Sequence, residues 1–295
     1  MSRIFHYYID TQSHNTTILD YLKSLSYSQG LIRHLKKTPN GILRNGTWAY
    51  VRDVLTAGDA LTITLVEHES SEMILPVDLP LDIIYEDDDL MVVNKPFDMP
   101  IHPSQGNYTN TLANAVSYYY QNQGLPFVYR CINRLDRDTT GLLILAKNAY
   151  SAALLSRMIA NRDIHREYLA IATGKVDSTG TIIAPISRVE GSTIERQVDE
   201  KHGEYARTHY TRLKYKNGYS LVSLKLETGR THQIRVHMKH IGHPLPGDFL
   251  YHPDYSIIKR QALHSHKLTF CHPITKTALS FEVPLPEDMQ SFLIC

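Results

Sequence analysis

The sequence has few of the features that would tie it to a membrane or to an oxidising compartment. Only three of its 295 residues are cysteines, and they stand far apart at Cys131, Cys271 and Cys295. An odd number of widely spaced cysteines predicts neither a disulfide framework nor a zinc site. No run approaches the ~20 apolar residues of a membrane helix, and the first ten residues lack the apolar core of a signal peptide. We therefore expect a cytoplasmic protein that needs no membrane.

Basic residues are missing from one stretch, which makes the charge distribution informative although the net charge is only +1. Residues 69–90 contain eight acidic residues and no Lys or Arg, so the rest of the chain holds 31 basic residues against 22 acidic ones. Residues 196–240 alone hold ten Lys or Arg against four acids, with five histidines. Such a basic segment is typical of a surface that binds RNA phosphates, although an ordinary solvated face has the same composition.

The motif around which the chain is organised is a charged loop that leads into a buried strand. Residues 133–141 read Asn-Arg-Leu-Asp-Arg-Asp-Thr-Thr-Gly, and an apolar run follows at 142–146. A carboxylate such as Asp136, held beside Arg134 and Arg137 at the edge of a core, stays ionised and oriented, as a nucleophile or general base requires. Taken alone, the same residues also fit a plain turn in which Asp and Thr bond their own backbone.

Two further motifs follow along the chain. Arg166-Glu167-Tyr168 precedes an apolar segment that predicts a strand, and residues 228–235 read Thr-Gly-Arg-Thr-His-Gln-Ile-Arg. A helix is predicted to begin after Thr231 as its N-cap and to end at Gly242. On that helix His232, Arg235 and Lys239 share one face, which could reach both a catalytic loop and a phosphate.

In this order and spacing, the three motifs resemble those of the RluA-type family of pseudouridine synthases, and the resemblance covers about residues 80–290. The family's loop reads His-Arg-Leu-Asp, so Asn133 departs from it at a position that is not the catalytic one. The resemblance implies isomerisation of uridine to pseudouridine in RNA without a cofactor. It further implies that Asp136 is the essential carboxylate, that Tyr168 lies against the target uracil and that Arg235 contacts Asp136.

The N-terminal residues resemble a small RNA-binding module named after a ribosomal small-subunit protein. Two helices, capped near Thr16 and at Ser26 or Ser28, precede Asn-Gly and Gly-Asp turns. A helix–hairpin unit that only packs is the alternative interpretation. The candidate RNA-binding residues of the whole chain are Arg134, Arg137, Arg230, His232, Lys239, Arg33, Lys36 and Lys37.

We therefore predict an α+β fold. A catalytic domain at 81–295 has a mixed, mainly antiparallel sheet flanked by helices, and an acidic linker at 69–80 joins it to a small α/β RNA-binding module at 1–68. We expect a monomer that acts on RNA, with large-subunit ribosomal RNA as the first candidate substrate and transfer RNA as another.

Two other functions remain open from the residues alone. Asp136 to Thr140 also resembles the Asp-x-Asp-x-Thr motif of magnesium-dependent aspartate phosphotransferases, but in that motif the buried strand precedes the acids. A non-catalytic RNA-binding protein would keep the basic residues and would tolerate loss of Asp136. The histidines at 232, 237, 240 and 243 have no nearby Cys or carboxylate to complete a metal site, so no metal is expected.

Overall fold

A four-stranded sheet and a nine-stranded sheet organise the chain in the computed structural model, which describes residues 2–67, 70–71 and 73–294. The strands are β1 (Ser2–Tyr8), β2 (Ile42–Arg44), β3 (Thr47–Trp48), β4 (Ala60–Val66), β5 (Asp82–Glu86), β6 (Leu90–Lys95), β7 (Thr140–Ala146), β8 (His165–Thr173), β9 (Thr179–Ile183), β10 (Ile186–Arg188), β11 (Arg196–Val198), β12 (Arg207–Lys216), β13 (Tyr219–Leu226), β14 (Leu263–Cys271) and β15 (Ala278–Glu282). The helices are α1 (Ile18–Ser24), α2 (Gln29–Lys37), α3 (Leu112–Asn122), α4 (Ala149–Asn161), α5 (Gln233–His240) and α6 (Glu287–Ile294). Within the described ranges, none of these helices is both long and apolar enough to cross a membrane.

The N-terminal sheet has the strand order β1-β4-β2-β3, with every pair antiparallel. Helices α1 and α2 bury their apolar residues in one cluster with this sheet, including Ile18, Leu22 and Leu35. Ser28 caps α2 as one of the two predicted choices, whereas Thr17 caps α1 in place of Thr16. The Thr17 hydroxyl accepts from the Asp20 amide at 3.1 Å, whereas the Thr16 hydroxyl donates to the Ser13 carbonyl.

The larger sheet has the order β5-β6-β7-β14-β8-β13-β12-β9, and β15 pairs with β14. Its neighbours are antiparallel except β7 and β14, whose pairing is parallel. A separate ribbon is formed by β10 and β11. The prediction of an α+β fold with a mixed, mainly antiparallel sheet is confirmed.

The charged loop meets the sheet at Gly141, where β7 and β14 come unusually close. Gly141 has φ +110°, and a Cβ atom there would lie 2.2 Å from the Ser265 carbonyl oxygen. Any side chain would therefore push β14 away. Because all seven residues of β7 are buried, the residues just before it are fixed at the edge of the core, as the apolar run predicted.

Several contacts join the N-terminal sheet to the larger one. Tyr150 and Leu154 of α4 belong to the N-terminal apolar cluster, and the Tyr150 hydroxyl donates to the Leu25 carbonyl at 3.0 Å. Arg3 donates to both oxygens of Asp89 at 3.1 and 2.8 Å. The two parts of the molecule are thus held by shared apolar packing and by charged contacts.

The segment predicted to be a linker also makes contacts. Ser70 and Ser71 accept hydrogen bonds from the backbone of Phe127 and Tyr129, and Ile74 packs against the larger core. Residues 68, 69, 72 and 295, which include two of the acids and one cysteine considered above, lie outside the described residues. The division into domains stays a prediction.

Candidate active site

Asp136 lies in the turn that precedes β7. The Thr139 amide donates to the Asp136 carbonyl at 3.1 Å, which closes the turn and leaves the Asp136 side chain 28% exposed. Asn133 is buried behind the turn, where its Oδ1 accepts from the Ile144 amide at 2.9 Å. The residue that departs from the family motif therefore anchors the loop to β7.

Arg235 reaches this carboxylate from α5. Its side chain is 1% exposed, and its Nη1 donates to Asp136 Oδ2 at 2.8 Å. Its Nε and Nη2 donate to the two oxygens of Asp248, both at 2.7 Å. The guanidinium thus bridges one fully buried carboxylate and one that faces an opening, and this fixes the position of Asp136.

Charge and burial act in opposite directions on this guanidinium. Burial alone would lower the pKa of Arg235, but the hydrogen bond to Asp248 and the charge of Asp136 raise it above the usual value. The neighbouring His232 has its Nε2 3.8 Å from Asp136 Oδ2, and burial lowers the pKa of its imidazole below 6.5 although Asp136 opposes this. At neutral pH the cation beside Asp136 is therefore Arg235.

A cleft of about 970 Å³ opens above this arrangement. Asp136 and Tyr168 both line it, and Tyr168, on β8, is only 4% exposed. Other cationic or polar side chains on its walls include Arg134, Arg162, His165, Arg166, Arg230 and His232. Asp136 and Tyr168 therefore lie together on one cleft with basic walls, and Arg235 is joined to it through its hydrogen bond to Asp136.

Two buried basic side chains hold the loop from behind. The Lys95 ammonium donates to the Arg137 carbonyl at 2.8 Å, and Arg260 donates to the Asp138 carbonyl at 3.3 Å. Burial lowers the pKa of Lys95 to about 7, against the charges of Asp138 and Asp136. These contacts fix the backbone on the C-terminal side of Asp136.

Comparison with known proteins identifies the family of the chain. The family model described as RNA pseudouridylate synthase matches residues 89–240. The uncharacterized RNA pseudouridine synthase YjbO of Bacillus subtilis is 38% identical over 278 residues, which cover 94% of this chain and 98% of the relative. Ribosomal large subunit pseudouridine synthase D of Zymomonas mobilis is 41% identical over 232 residues, covering 73% and 72%. The solved structure of human RNA pseudouridylate synthase domain containing 1 has a TM-score of 0.58 at 29% identity, covering 70% of this chain and 83% of that one.

This chain belongs to the RNA pseudouridylate synthase family. The synthase is thus an isomerase that converts uridine in RNA to pseudouridine, and the predicted resemblance is confirmed. Neither the phosphotransferase nor the non-catalytic alternative is supported, since the matched relatives are synthases and the buried strand β7 follows the acids.

The other candidate residues of the synthase's catalytic part occupy different environments. Arg134 is exposed and lines the cleft, and Arg230 lines it while pairing with Glu204. Arg137 is half-exposed, pairs with Asp98 and is not a wall residue of the cleft. Its side chain and that of Lys239 belong to the outer surface, and their part in RNA binding stays a prediction.

The start of α5 differs from the expectation. Thr231 is not the N-cap: His232 takes that position in a left-handed conformation with φ 56° and makes no side-chain cap. The turn is instead held by Gln233, whose Oε1 accepts from the Thr228 hydroxyl and the Arg230 amide.

The predicted basic face of α5 exists, but an aromatic ring covers it. The His232 Nδ1 lies 2.9 Å from the Tyr251 hydroxyl, and the Arg235 and Lys239 cations lie 5.0 and 5.4 Å from the ring centroid. Of the three, only His232 also lines the cleft. The face therefore packs on Tyr251 while Lys239 stays exposed, and phosphate binding by this face remains a prediction.

Asp248 and Lys95 contact the site's side chains or backbone but were not among its predicted residues. Lys95 follows directly on an apolar strand, and its buried ammonium needs the carbonyl partners that the structure supplies. Asp248 sits in a Pro- and Gly-containing loop, where an acid is usually a turn residue. Nothing in the sequence links it to Arg235, 13 positions earlier.

One group of side chains has the composition of a metal site. Asp87, Asp89 and His272 offer ligand atoms within 4.8 Å of one another. Their oxygens already accept hydrogen bonds, however: Asp87 from Tyr85 and two backbone amides, and Asp89 from Arg3, Asn148 and Ser151. The cluster acts as a junction between the N-terminal sheet and the catalytic part.

Proposed function

We propose that the synthase isomerises a uridine of large-subunit ribosomal RNA and that Asp136, Tyr168 and Arg235 carry out the reaction. Several relatives bear the name ribosomal large subunit pseudouridine synthase D, for example those of Zymomonas mobilis and Haemophilus influenzae, at 41% and 38% identity. Transfer RNA is the second candidate substrate. A monomer acting in the cytoplasm completes the proposal.

The observation that carries the catalytic assignment is the bridge from Asp248 through Arg235 to Asp136. A carboxylate 2.8 Å from a guanidinium that is itself fixed at 2.7 Å on two atoms is paired with a cation and aimed before substrate arrives. Such prior positioning lowers the cost of reaching the transition state.

In the reaction, the bond between uracil N1 and ribose C1′ breaks, the base turns in the cleft and its C5 bonds to C1′. C5 then loses its proton and N1 regains one, so that the product is an isomer of the substrate. Asp136 serves as the nucleophile or as the proton acceptor, and both roles need the ionised carboxylate. Tyr168 supports the base, since an aromatic ring replaces the stacking that a base loses when it leaves its helix.

Asp136→Asn tests this assignment. The variant should fold, because the side chain is partly exposed and the amide oxygen still accepts from Arg235, but pseudouridine formation should fall at least ~10³-fold because the carboxylate is gone. Asp138→Asn makes the same chemical change two residues away and should keep activity within a few-fold. An Asp136→Asn enzyme with wild-type activity on its RNA would refute the assignment.

The substrate is tested separately. Pseudouridine is mapped in ribosomal and transfer RNA from cells with and without the gene. Loss of one large-subunit site, restored by the wild-type gene and not by Asp136→Asn, is the expected result. Loss confined to transfer RNA would overturn the ribosomal assignment and leave the catalytic one intact.

A further inference from the structure

The only tryptophan of the chain lies on the surface of the N-terminal sheet. Trp48 is 47% exposed and occupies β3, the edge strand of the order β1-β4-β2-β3. Large aromatic side chains contribute most to stability when they are buried, and tryptophan is on average a highly buried residue. An exposed Trp48 therefore contributes little to the core and is available for a contact outside the fold.

Trp48 does not stand alone. Tyr50 is 52% exposed, and its ring centroid lies 4.6 Å from that of Trp48 with the planes at 66°. The Arg52 guanidinium lies 5.1 Å from the centroid of the Tyr50 ring. We call Trp48 and Tyr50 the aromatic platform.

The backbone beneath the platform is fixed by hydrogen bonds. Trp48 pairs with Leu43 across the hairpin, and the Ala49 amide donates to the Ile42 carbonyl at 3.1 Å. The Tyr50 amide donates to the Asp53 carboxylate at 2.8 Å. The rings are thus presented on a rigid support, which lowers the entropy cost of binding.

Helix α2 completes the surface with positive charge. A cavity of about 400 Å³ is lined by Lys36 and Arg52 together with Trp48 and Tyr50. Lys36 belongs to the exposed basic set of α2, with Arg33 and Lys37, and no acidic residue lies in the sequence of this helix. Exposed aromatic rings beside cations are the combination that binds single-stranded nucleic acid, the rings through the bases and the cations through the phosphates.

We propose that the aromatic platform stacks an unpaired base of the RNA substrate while Lys36 and Arg52 contact the adjoining phosphates. The inference rests on the proposed function, because it gives the N-terminal part a specific role in binding the same RNA. The base in question is a different nucleotide from the target uridine, which enters the cleft of Asp136. The platform accordingly selects RNA in which a single-stranded segment accompanies the target.

The fluorescence of the wild-type protein tests the contact directly, since Trp48 is the sole tryptophan. The probes are an oligouridylate of about 12 nucleotides and an RNA duplex of the same length. Stacking quenches indole emission, so the single strand should quench Trp48 with saturation. The duplex should not, because its bases are already stacked on one another.

Variants give a second measurement. Trp48→Ala should weaken binding of the oligouridylate at least ~5-fold, whereas Trp48→Phe, which keeps a ring, should lose much less. Tyr8→Ala is the matched control, because Tyr8 is an 81% exposed aromatic residue on β1 of the same sheet. Its affinity should equal that of the wild type.

Equal quenching by the duplex, no quenching by the single strand, or equal affinity of Trp48→Ala and Tyr8→Ala would each overturn the platform. The same preparations are assayed for pseudouridine in transcribed ribosomal RNA. If the wild type forms pseudouridine but Trp48 is not quenched, the platform is wrong and the proposed function stands. If no pseudouridine forms while the single strand quenches Trp48, the proposed substrate fails and the platform stands.

Discussion

Candidate RNA-binding residues lie at the cleft of Asp136 and on an N-terminal basic surface formed by Arg33, Lys36 and Lys37 of α2. The two regions differ in how firmly their cationic side chains are held. Behind the cleft, Arg235 is 1% exposed and every branch of its guanidinium is held by a carboxylate. On α2, Arg33, Lys36 and Lys37 are exposed, and they form no ion pair with another residue in the part of the chain that the structure describes. Side chains that act on one atom must be held in place, whereas side chains that attract a phosphate backbone need only be cationic and accessible.

The largest effect that this contrast predicts is at Asp248. Asp248→Asn leaves the Arg235 charge in the core with a single carboxylate partner, which should lower the free energy of unfolding by about 3–5 kcal/mol. The displaced Arg235 should also lower kcat for pseudouridine formation by about 10²-fold. Urea unfolding and single-turnover assays below the unfolding transition measure the two effects separately.

Asp98→Asn provides the control for that variant. Asp98 also pairs with an arginine, Arg137. Both side chains of this pair are exposed, Asp98 at 58% and Arg137 at 50%. Exposed pairs contribute only ~0–1 kcal/mol, so this variant should stay close to the wild type. A folded Asp248→Asn enzyme with wild-type kcat would show that Asp248 does not position Arg235 for the reaction.

The sequence motifs led to Asp136, Tyr168 and Arg235 because those positions carry chemistry in fixed residue types. The structure places Asp136 and Tyr168 on one cleft and bonds Arg235 to Asp136. Their catalytic roles remain predictions. The motifs could not reveal Asp248, since its contact with Arg235 depends on how a loop folds back over α5. Nor could they show that Tyr251 covers the basic face of that helix, because helical periodicity gives the direction of a side chain but not what packs against it. Strand β7 followed its apolar run, while caps such as Thr17 depended on local hydrogen bonds.

A medium effect is expected from a buried histidine behind the catalytic loop. His264 is 1% exposed, its Nδ1 lies 2.8 Å from the Thr140 hydroxyl, and burial lowers its pKa to about 4. Between about pH 4 and 6.5 the unfolded chain therefore binds more protons at this residue than the folded one. The free energy of unfolding should therefore rise with pH across that window. Acidification from pH 6.5 to 4 should lower it by about 1–3 kcal/mol.

The contribution of His264 can be isolated by comparison with a second histidine. His6 makes a similar contact to the Thr62 hydroxyl at 3.2 Å, but on the exposed face of the N-terminal sheet. In urea unfolding at a series of pH values, His264→Gln should flatten the dependence below pH 6.5, and His6→Gln should follow the wild type. Parallel profiles for all three proteins would mean that His264 does not titrate in this range.

Removal of charge from α2 should have the smallest effect on stability. It tests the second region of the comparison, the exposed cations of this helix. Deleting residues 1–75 is the blunter experiment, because it would uncover Tyr150 and Leu154, which share the N-terminal core. The triple variant Arg33→Gln, Lys36→Gln and Lys37→Gln changes only exposed side chains, so the free energy of unfolding should stay within about 0.5 kcal/mol. If each cation neutralises one phosphate of single-stranded RNA, the slope of log K against log salt should fall by about 2 in magnitude.

Lys23→Gln on the neighbouring helix, where Lys23 is paired with Asp20 at 4.0 Å, is the control and should leave the slope nearly unchanged. An unchanged slope in the triple variant would mean that the exposed cations of α2 do not contact RNA, and that the N-terminal sheet serves to pack against α4.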